Sequence, residues 1–343
     1  MPPPPLPELP ELPELPELLH GIRVVRVPLT VRFRGLTERE VALFPGPEGW
    51  GEFGPFLEYG AHEASRWLAS AIEAAYAGWP TSLRDHVPVN ATVPAVPAAD
   101  VPSVLARFPG STTAKVKVAE PGQRLADDLD RVAAAREVLG SEGRIRIDAN
   151  AAWSVSDALD AIRALAAYGL EYAEQPCAQV SDLAALRVAL ARAGVDVPIA
   201  ADESIRKAED PVRVAREHAA DLIIVKVAPL GGVRRALDIV AECGLPAVVS
   251  SALDTSVGMA AGLALAGALP DLPWACGLGT LALLGGDVVA HPAVRSGRGL
   301  PVPIAPPPAD EALLQRWAAG ADRHAWWRER VTAAYGHLAG QHV

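Results

Sequence analysis

The chain has 343 residues, half of them hydrophobic, and a formal net charge of −10, enough apolar material for a large α/β barrel with a smaller domain beside it. The acidic balance argues against nucleic acid or an anionic membrane as partner. Cys177, Cys243 and Cys276 lack the number and spacing of a disulfide scaffold or zinc knuckle, and neither a secretory leader nor a bilayer-long apolar run is present, so the expected setting is the reducing cytoplasm.

In chain order, residues 1–19 read as a Pro-rich, low-complexity tail built on a Pro-Glu-Leu repeat. Proline this dense predicts polyproline II or disorder in place of a helix, and such a tail could also serve as a ligand for an aromatic groove. Residues 20–82 form an expected α+β capping domain. Segments 23–27, 29–33 and 40–44 alternate like strands of an antiparallel meander. Gly46, Gly49, Gly51 and Gly54 read as breaks, and residues 63–77 carry apolar side chains at helical spacing.

From 83 to 300, eight strand-like runs alternate with helix-like ones. The strands are 89–93, 113–118, 144–150, 171–174, 199–202, 222–227, 247–251 and 274–276. The helices are 123–139, 156–168, 182–193, 211–218 and 233–243, and the run 257–269 reads as a further, buried helix. Strict alternation predicts a TIM-like (β/α) barrel of parallel strands. A doubly wound sheet would announce itself by a Gly-rich turn after its first strand, and none is visible. Residues 301–343 form a C-terminal segment that is expected to pack back on the capping domain.

Only four of the 31 Lys and Arg residues are lysines, and Lys115, Lys117 and Lys226 lie in β-like runs. A buried lysine can be tuned as a base, which arginine cannot. Lys207 sits in a polar run and reads as a solvated charge. Lys117, Asp148, Glu174, Asp202, Lys226 and Ser250 end successive strands, 24 to 31 residues apart. That spacing matches a βα repeat and gathers them at one barrel mouth.

Asp148, Glu174 and Asp202 on adjacent strands would repel one another unless a cation lay between them. All-oxygen ligation suits Mg²⁺ or Mn²⁺. Taken singly, each acid could cap a helix or sit in a loop, Asp202 most readily because Glu203 and Ser204 follow it. Asn150 and Glu203 are placed to orient the acids. Lys115 and Lys117 share strand parity and can both point inward. Two lysines facing each other across a cation suggest proton abstraction beside a carboxylate. The base lysine would then need a pKa depressed toward neutrality by the cation and by Lys115.

The pair Lys115 and Lys117, the acids Asp148, Glu174 and Asp202, and then Lys226 on the next strand resemble the enolase superfamily, muconate-cycloisomerase-like subgroup. Members of that superfamily are known to pair a Lys or His base with Mg²⁺. Residues 114–118, 144–153, 174–177 and 249–256 further resemble the dehydratase branch of the subgroup, a carbon–oxygen lyase of menaquinone biosynthesis. This resemblance implies syn dehydration, through an enediolate, of a hydroxycyclohexadiene carboxylate bearing a succinyl chain. It makes Lys117 the base and then the acid, Lys226 the stabiliser of the enediolate, and Asp148, Glu174 and Asp202 the ligands of Mg²⁺. Ser250, Ser251 and Gly277 would receive the succinyl end of this small dicarboxylate substrate, and Arg146 matches an arginine behind the metal.

Some features depart from related patterns. Ala173 stands where members often carry a second acid. Residues 277–280 lack the carboxylate pair of dipeptide epimerases; Asp254 could supply one carboxylate, and a helix cap explains it as readily. No histidine ends a barrel strand, as one does in mandelate-racemase-like members. An N-succinylamino acid racemase, with Lys117 and Lys226 as bases on opposite faces, needs the same apparatus. A non-catalytic binding protein presenting the Pro-rich tail is the alternative of another class. The sequence gives no oligomeric state.

Overall fold

The computed structural model describes residues 12–33, 35–207 and 209–340. Most of the Pro-rich tail lies outside them, but its end does not follow the expectation. Helix α1, Leu15–His20, forms within the repeat because Pro16 falls in its first turn, where a missing N–H costs nothing. Leu18 is buried against the body of the protein.

Strand β1, Arg23–Phe33, pairs antiparallel with β2, Leu36–Gly46, which pairs in turn with β3, Gly49–Phe53. The two strands expected at 23–27 and 29–33 are one strand with an irregular register between Pro28 and Phe33. Pro28 cannot donate to the ladder, so pairing slips there without ending. Of the glycines read as breaks, Gly46 and Gly49 flank the turn between β2 and β3 and Gly54 follows β3, while Gly51 lies inside that strand. A Cβ at Gly46 or Gly51 would run into the carbonyl oxygen of Ala75 or Ala71. Their absence lets helix α2, Ala61–Ile72, lie close on the sheet and bury Ala64, Trp67, Leu68 and Ala71.

Seven parallel strands follow: β4 Ala91–Val93, β5 Thr113–Lys117, β6 Arg144–Asp148, β7 Leu170–Glu174, β8 Ile199–Ala201, β9 Leu222–Val225 and β10 Ala247–Val249. Each pairs with the next in chain order. The eighth expected strand, 274–276, is not a ladder. Two isolated parallel bridges, Val89 to Cys276 and Ser250 to Gly277, span the space between β4 and β10. Pro273 before this segment has no N–H to donate, which keeps the pairing short.

Helices α3 Leu125–Leu139, α4 Val155–Leu165, α5 Val180–Arg192, α6 Val233–Cys243 and α7 Ser256–Ala268 cover the outside. The helix expected at 211–218 shrinks to Arg213–Arg216, whose only buried side chain is Val214. Among the described residues no helix is long and apolar enough to cross a membrane. Helix α8, Ala321–Ala339, returns to the capping domain, where Trp327 meets Phe53 edge-on with ring centroids 5.9 Å apart.

Barrel strands are buried on both faces, and alternate residues have different jobs. Ala173, Ile199, Ile223, Val225 and Val249 join the large core. Tyr172, Ala200, Leu222, Ile224 and Val248 form a separate cluster with Trp274 against it. This second set fills the barrel interior and acts as its floor. Burying each such aliphatic side chain stabilises the fold by about 1.5–3 kcal/mol. Continuing the same inward parity toward the strand C-termini leads from the floor to Glu174, Lys226 and Ser250.

Candidate active site

Lys117, Asp148 and Glu174 are register partners on β5, β6 and β7, so strand pairing alone aligns the three. Asp202, Lys226 and Ser250 directly follow β8, β9 and β10. All six are buried. Lys115 lies one row lower, in register with Arg146. Its long stem lets Nζ reach Glu174 Oε1 at 2.8 Å and Oε2 at 2.9 Å, with Asp148 Oδ2 at 3.3 Å.

Lys117 Nζ donates to Asp148 Oδ2 at 2.5 Å and to Asn150 Oδ1 at 2.6 Å. Lys226 Nζ donates to Asp202 Oδ2, and Arg206 Nε donates to Asp202 Oδ1 at 3.1 Å. Asp202 begins the short helix Glu203–Arg206, yet its side chain makes no capping hydrogen bond. The competing cap reading of that residue therefore fails.

Burial works against every charge here, and neighbours decide the outcome. Lys117 and Lys115 outweigh burial at Asp148 and hold it well below the usual carboxylate range. Lys226 and Arg206 do the same for Asp202. Glu174 is pushed up to about 7 by burial and by the Asp148 charge, which Lys115 only partly offsets. Burial lowers Lys226 to about 8, helped by Arg206 and Lys115 and opposed by Asp202. Burial also opposes the Lys115 charge, but Glu174 and Asp148 outweigh it and raise that lysine. Lys226 is thus a lysine drawn toward neutrality, whereas Lys115 is held firmly charged.

Among the described residues no three acidic, histidine or cysteine side chains converge into a ready-made cation cage. The reason is visible in the contacts: lysine ammonium groups stand between Asp148, Glu174 and Asp202. The donor set nonetheless suits a hard divalent cation. It is all oxygen and buried, Glu174 remains short of positive charge, and Glu203 Oε2 is buried with no hydrogen-bond partner among the described residues. Asn150 links the two groups, its Nδ2 donating to Glu203 Oε1 at 3.2 Å and its backbone N–H to Asp148 Oδ1 at 3.1 Å.

Ser250 and Ser251 face the lysines across a cavity of about 30 Å³ that Gly277 also lines. Ser251 Oγ lies 2.6 Å from Thr280 Oγ1. A Cβ at Gly277 would sit 2.5 Å from Ser250 Oγ, so any side chain there would push that hydroxyl aside.

Glu174, Asp202 and Glu203 lie behind this lining, in contact with the lysines, Arg206 and Asn150, and Arg146 lies farther off. Its guanidinium points into the barrel floor, where Nε donates to Glu171 Oε2 at 2.5 Å and Nη1 to Ala275 O at 2.6 Å, 4.8 Å above the Tyr172 ring. Of the two readings of Asp254, the helix cap does not hold: Asp254 accepts the Ala252 N–H at 2.9 Å, and Thr255 caps α7.

Sequence reasoning missed Thr92, Phe33, Phe56, Leu253 and Thr280 on the cavity wall. Thr92 was legible as an inward residue of the first barrel strand, in register with Lys115; the two phenylalanines come from the capping domain and carry no local signal. It also missed Gln175, whose Oε1 accepts the Asp202 and Ser204 N–H groups at 2.8 and 3.1 Å and so fixes the end of β8.

Comparison with known proteins agrees with this architecture. Residues 24–75 match the enolase N-terminal domain-like family and residues 104–306 the enolase C-terminal domain-like family. The solved muconate lactonizing enzyme of Pseudomonas fluorescens shares the fold with a TM-score of 0.75 at 24% identity, covering 87% of this chain and 98% of that one. The L-Ala-D/L-Glu epimerase of Bacillus subtilis gives 0.71 at 24% identity, covering 84% and 98%.

Curated relatives are much nearer in sequence. The o-succinylbenzoate synthase of Mycolicibacterium smegmatis is 60% identical over 318 residues, 92% of this chain and 96% of that protein. Those of Mycobacterium leprae and Mycobacterium tuberculosis are 56% and 57% identical, each over 93% of this chain and over 93% and 95% of the relatives. The chain belongs to the enolase superfamily and, within it, to the o-succinylbenzoate synthase family.

Proposed function

We propose that this chain is the o-succinylbenzoate synthase of a menaquinone pathway, removing water from a succinyl-bearing hydroxycyclohexadiene carboxylate to leave the aromatic dicarboxylate. The observation that carries the reading is the set of three buried lysines interleaved with three buried carboxylates at one barrel mouth, in a chain 60% identical to a named synthase.

Superfamily membership implies a divalent cation; in this chain Asp148, Glu174 and Asp202 would hold it, and Mg²⁺ is the ion that all-oxygen ligation favours. When bound, the cation supplies positive charge beside the substrate carboxylate, which makes the neighbouring C–H more acidic.

The protein's own groups do the rest. Lys117 takes the α-proton, and the C–H electron pair becomes the carbon–carbon double bond of the enediolate. Lys226, on the far wall, stabilises that negative charge as an ammonium. The C–O bond then breaks with its electron pair on oxygen, and Lys117 gives the proton back to the departing hydroxyl on the same face, so water leaves and the ring is aromatic. Lys115 keeps Glu174 and Asp148 oriented and adds positive charge behind the base. Ser250, Ser251 and the Gly277 backbone receive the succinyl carboxylate at lower desolvation cost than an unpaired ammonium would incur there.

Turnover of this substrate by the purified protein with Mg²⁺, set beside N-succinylamino acids and dipeptides, tests the proposal. Faster racemisation of the N-succinylamino acids would favour the racemase.

A further inference from the structure

We infer that Arg39, on β2 of the capping domain, is a positioning residue for the substrate pocket: it fastens the loop after β10 in the conformation that turns Leu253 into the site. The inference rests on the reading of that cavity as the substrate pocket.

Leu253 has φ 64°, the left-handed region that glycine enters freely and leucine does not. Its carbonyl oxygen accepts the Nε–H of Arg39 at 3.1 Å, in a buried contact between residues 214 apart in sequence. The rest of the guanidinium is turned toward the capping domain. Nη2 donates to the Gly54 carbonyl, and the group stacks 4.6 Å above the Phe56 ring. A Cβ at Gly54 would stand 2.8 Å from that Nη2, so glycine makes room for the grip.

Phe56 and Leu253 both line the cavity beside Lys117 and Lys226. One buried side chain therefore ties together two loops, from two domains, that wall the same pocket. Glu52 holds the far end of the β10 loop, accepting the Thr255 N–H at 3.2 Å and the Gly258 N–H at 3.1 Å. Ser250 and Ser251 lie within the fastened stretch, while Lys117 and the three carboxylates are carried by other strands. Loosening the loop should therefore affect substrate binding more than chemistry. A planar fork that donates in two directions while stacking on a ring is a task for arginine that lysine cannot take over.

The test is steady-state kinetics with the succinyl-bearing substrate on Arg39→Lys, Arg39→Met, Leu253→Gly and the Arg39→Met/Leu253→Gly double variant, with a melting curve for each. Both Arg39 variants are expected to raise KM roughly tenfold, about the worth of one hydrogen bond, with kcat within about threefold of wild type. Glycine at 253 needs no holding, so Arg39→Met should change KM by less than about twofold in that background. Wild-type KM in Arg39→Lys, a loss confined to kcat, or equal KM changes with and without Leu253 would overturn the inference. If Arg39→Met does not fold, Arg39→Lys decides. A crystal structure of Arg39→Lys reads the loop without reference to substrate: Leu253 should leave the left-handed region, and an unmoved loop overturns the inference even if the functional reading fails.

Discussion

Lys117 and Lys226 carry the chemistry, and their separate surroundings give them separable tests. A positioned general base contributes about 10²–10⁴-fold. Lys117→Ala should accordingly lose at least that much dehydration and also abolish exchange of the substrate α-proton with deuterated solvent. Lys226→Ala should lose about 10²–10³-fold by failing to stabilise the enediolate; dehydration rates in rapid-quench experiments check both, and brisk turnover by the Lys117 variant would remove its role. Asp202→Asn should weaken divalent-cation binding measured by calorimetry while far-UV circular dichroism stays that of the folded protein. Because lysine ammonium groups already neutralise the three acids, cation binding should release protons, seen as a dependence of binding heat on the buffer's ionisation enthalpy. These residues could be read from sequence because each ends a strand and the βα spacing repeats. Arg39, Glu52 and Leu253 could not, because their meaning lies in contacts more than 200 residues apart in sequence.

Elements were legible where periodicity was clean and less so where tertiary contact decided. The strands carrying Lys117, Asp148 and Glu174 follow from alternation and turns. The segment at 274–276 and the Gly277 after it make isolated bridges only, one to each neighbouring strand. Strand β3 looked like a glycine-rich break because the helix that needs those glycines, α2, comes later in the chain. Strand β3 also carries Glu52, buried at the start of α7, where burial first and the Asp254 charge second push its carboxyl up to about 8. The fold therefore favours the protonated acid. Below the ordinary value of 4.5 both folded and unfolded chains hold that proton and the contribution is fully present; it is lost as pH rises through about 8. Urea titrations should show stability falling between those limits, and Glu52→Gln should flatten the decline. An equal slope in the variant would assign the pH dependence elsewhere.

At the scale of the whole molecule, the capping domain and barrel act on one another through buried carboxyl groups. Glu52 meets the start of α7, and Glu73 meets the start of α6, where Arg234 Nη1 also donates to it at 2.9 Å. Both carboxyl groups accept hydrogen bonds from N–H groups at a helix start that have no partner within the helix, while burial raises the pKa of each. Glu73→Ala leaves those donors and Arg234 without their partner and should lower stability by about 2–4 kcal/mol, read from denaturant midpoints. A smaller loss would mean that the domains meet mainly through apolar contact. The measurement that bears most directly on the account is product formation by the intact protein with Mg²⁺ and the succinyl-bearing hydroxycyclohexadiene carboxylate, followed by the absorbance of the new aromatic ring. The account predicts rapid aromatisation that a chelator stops and added Mg²⁺ restores. No aromatic product from folded, Mg²⁺-loaded protein, or the same rate with Lys117 replaced by alanine, would contradict it.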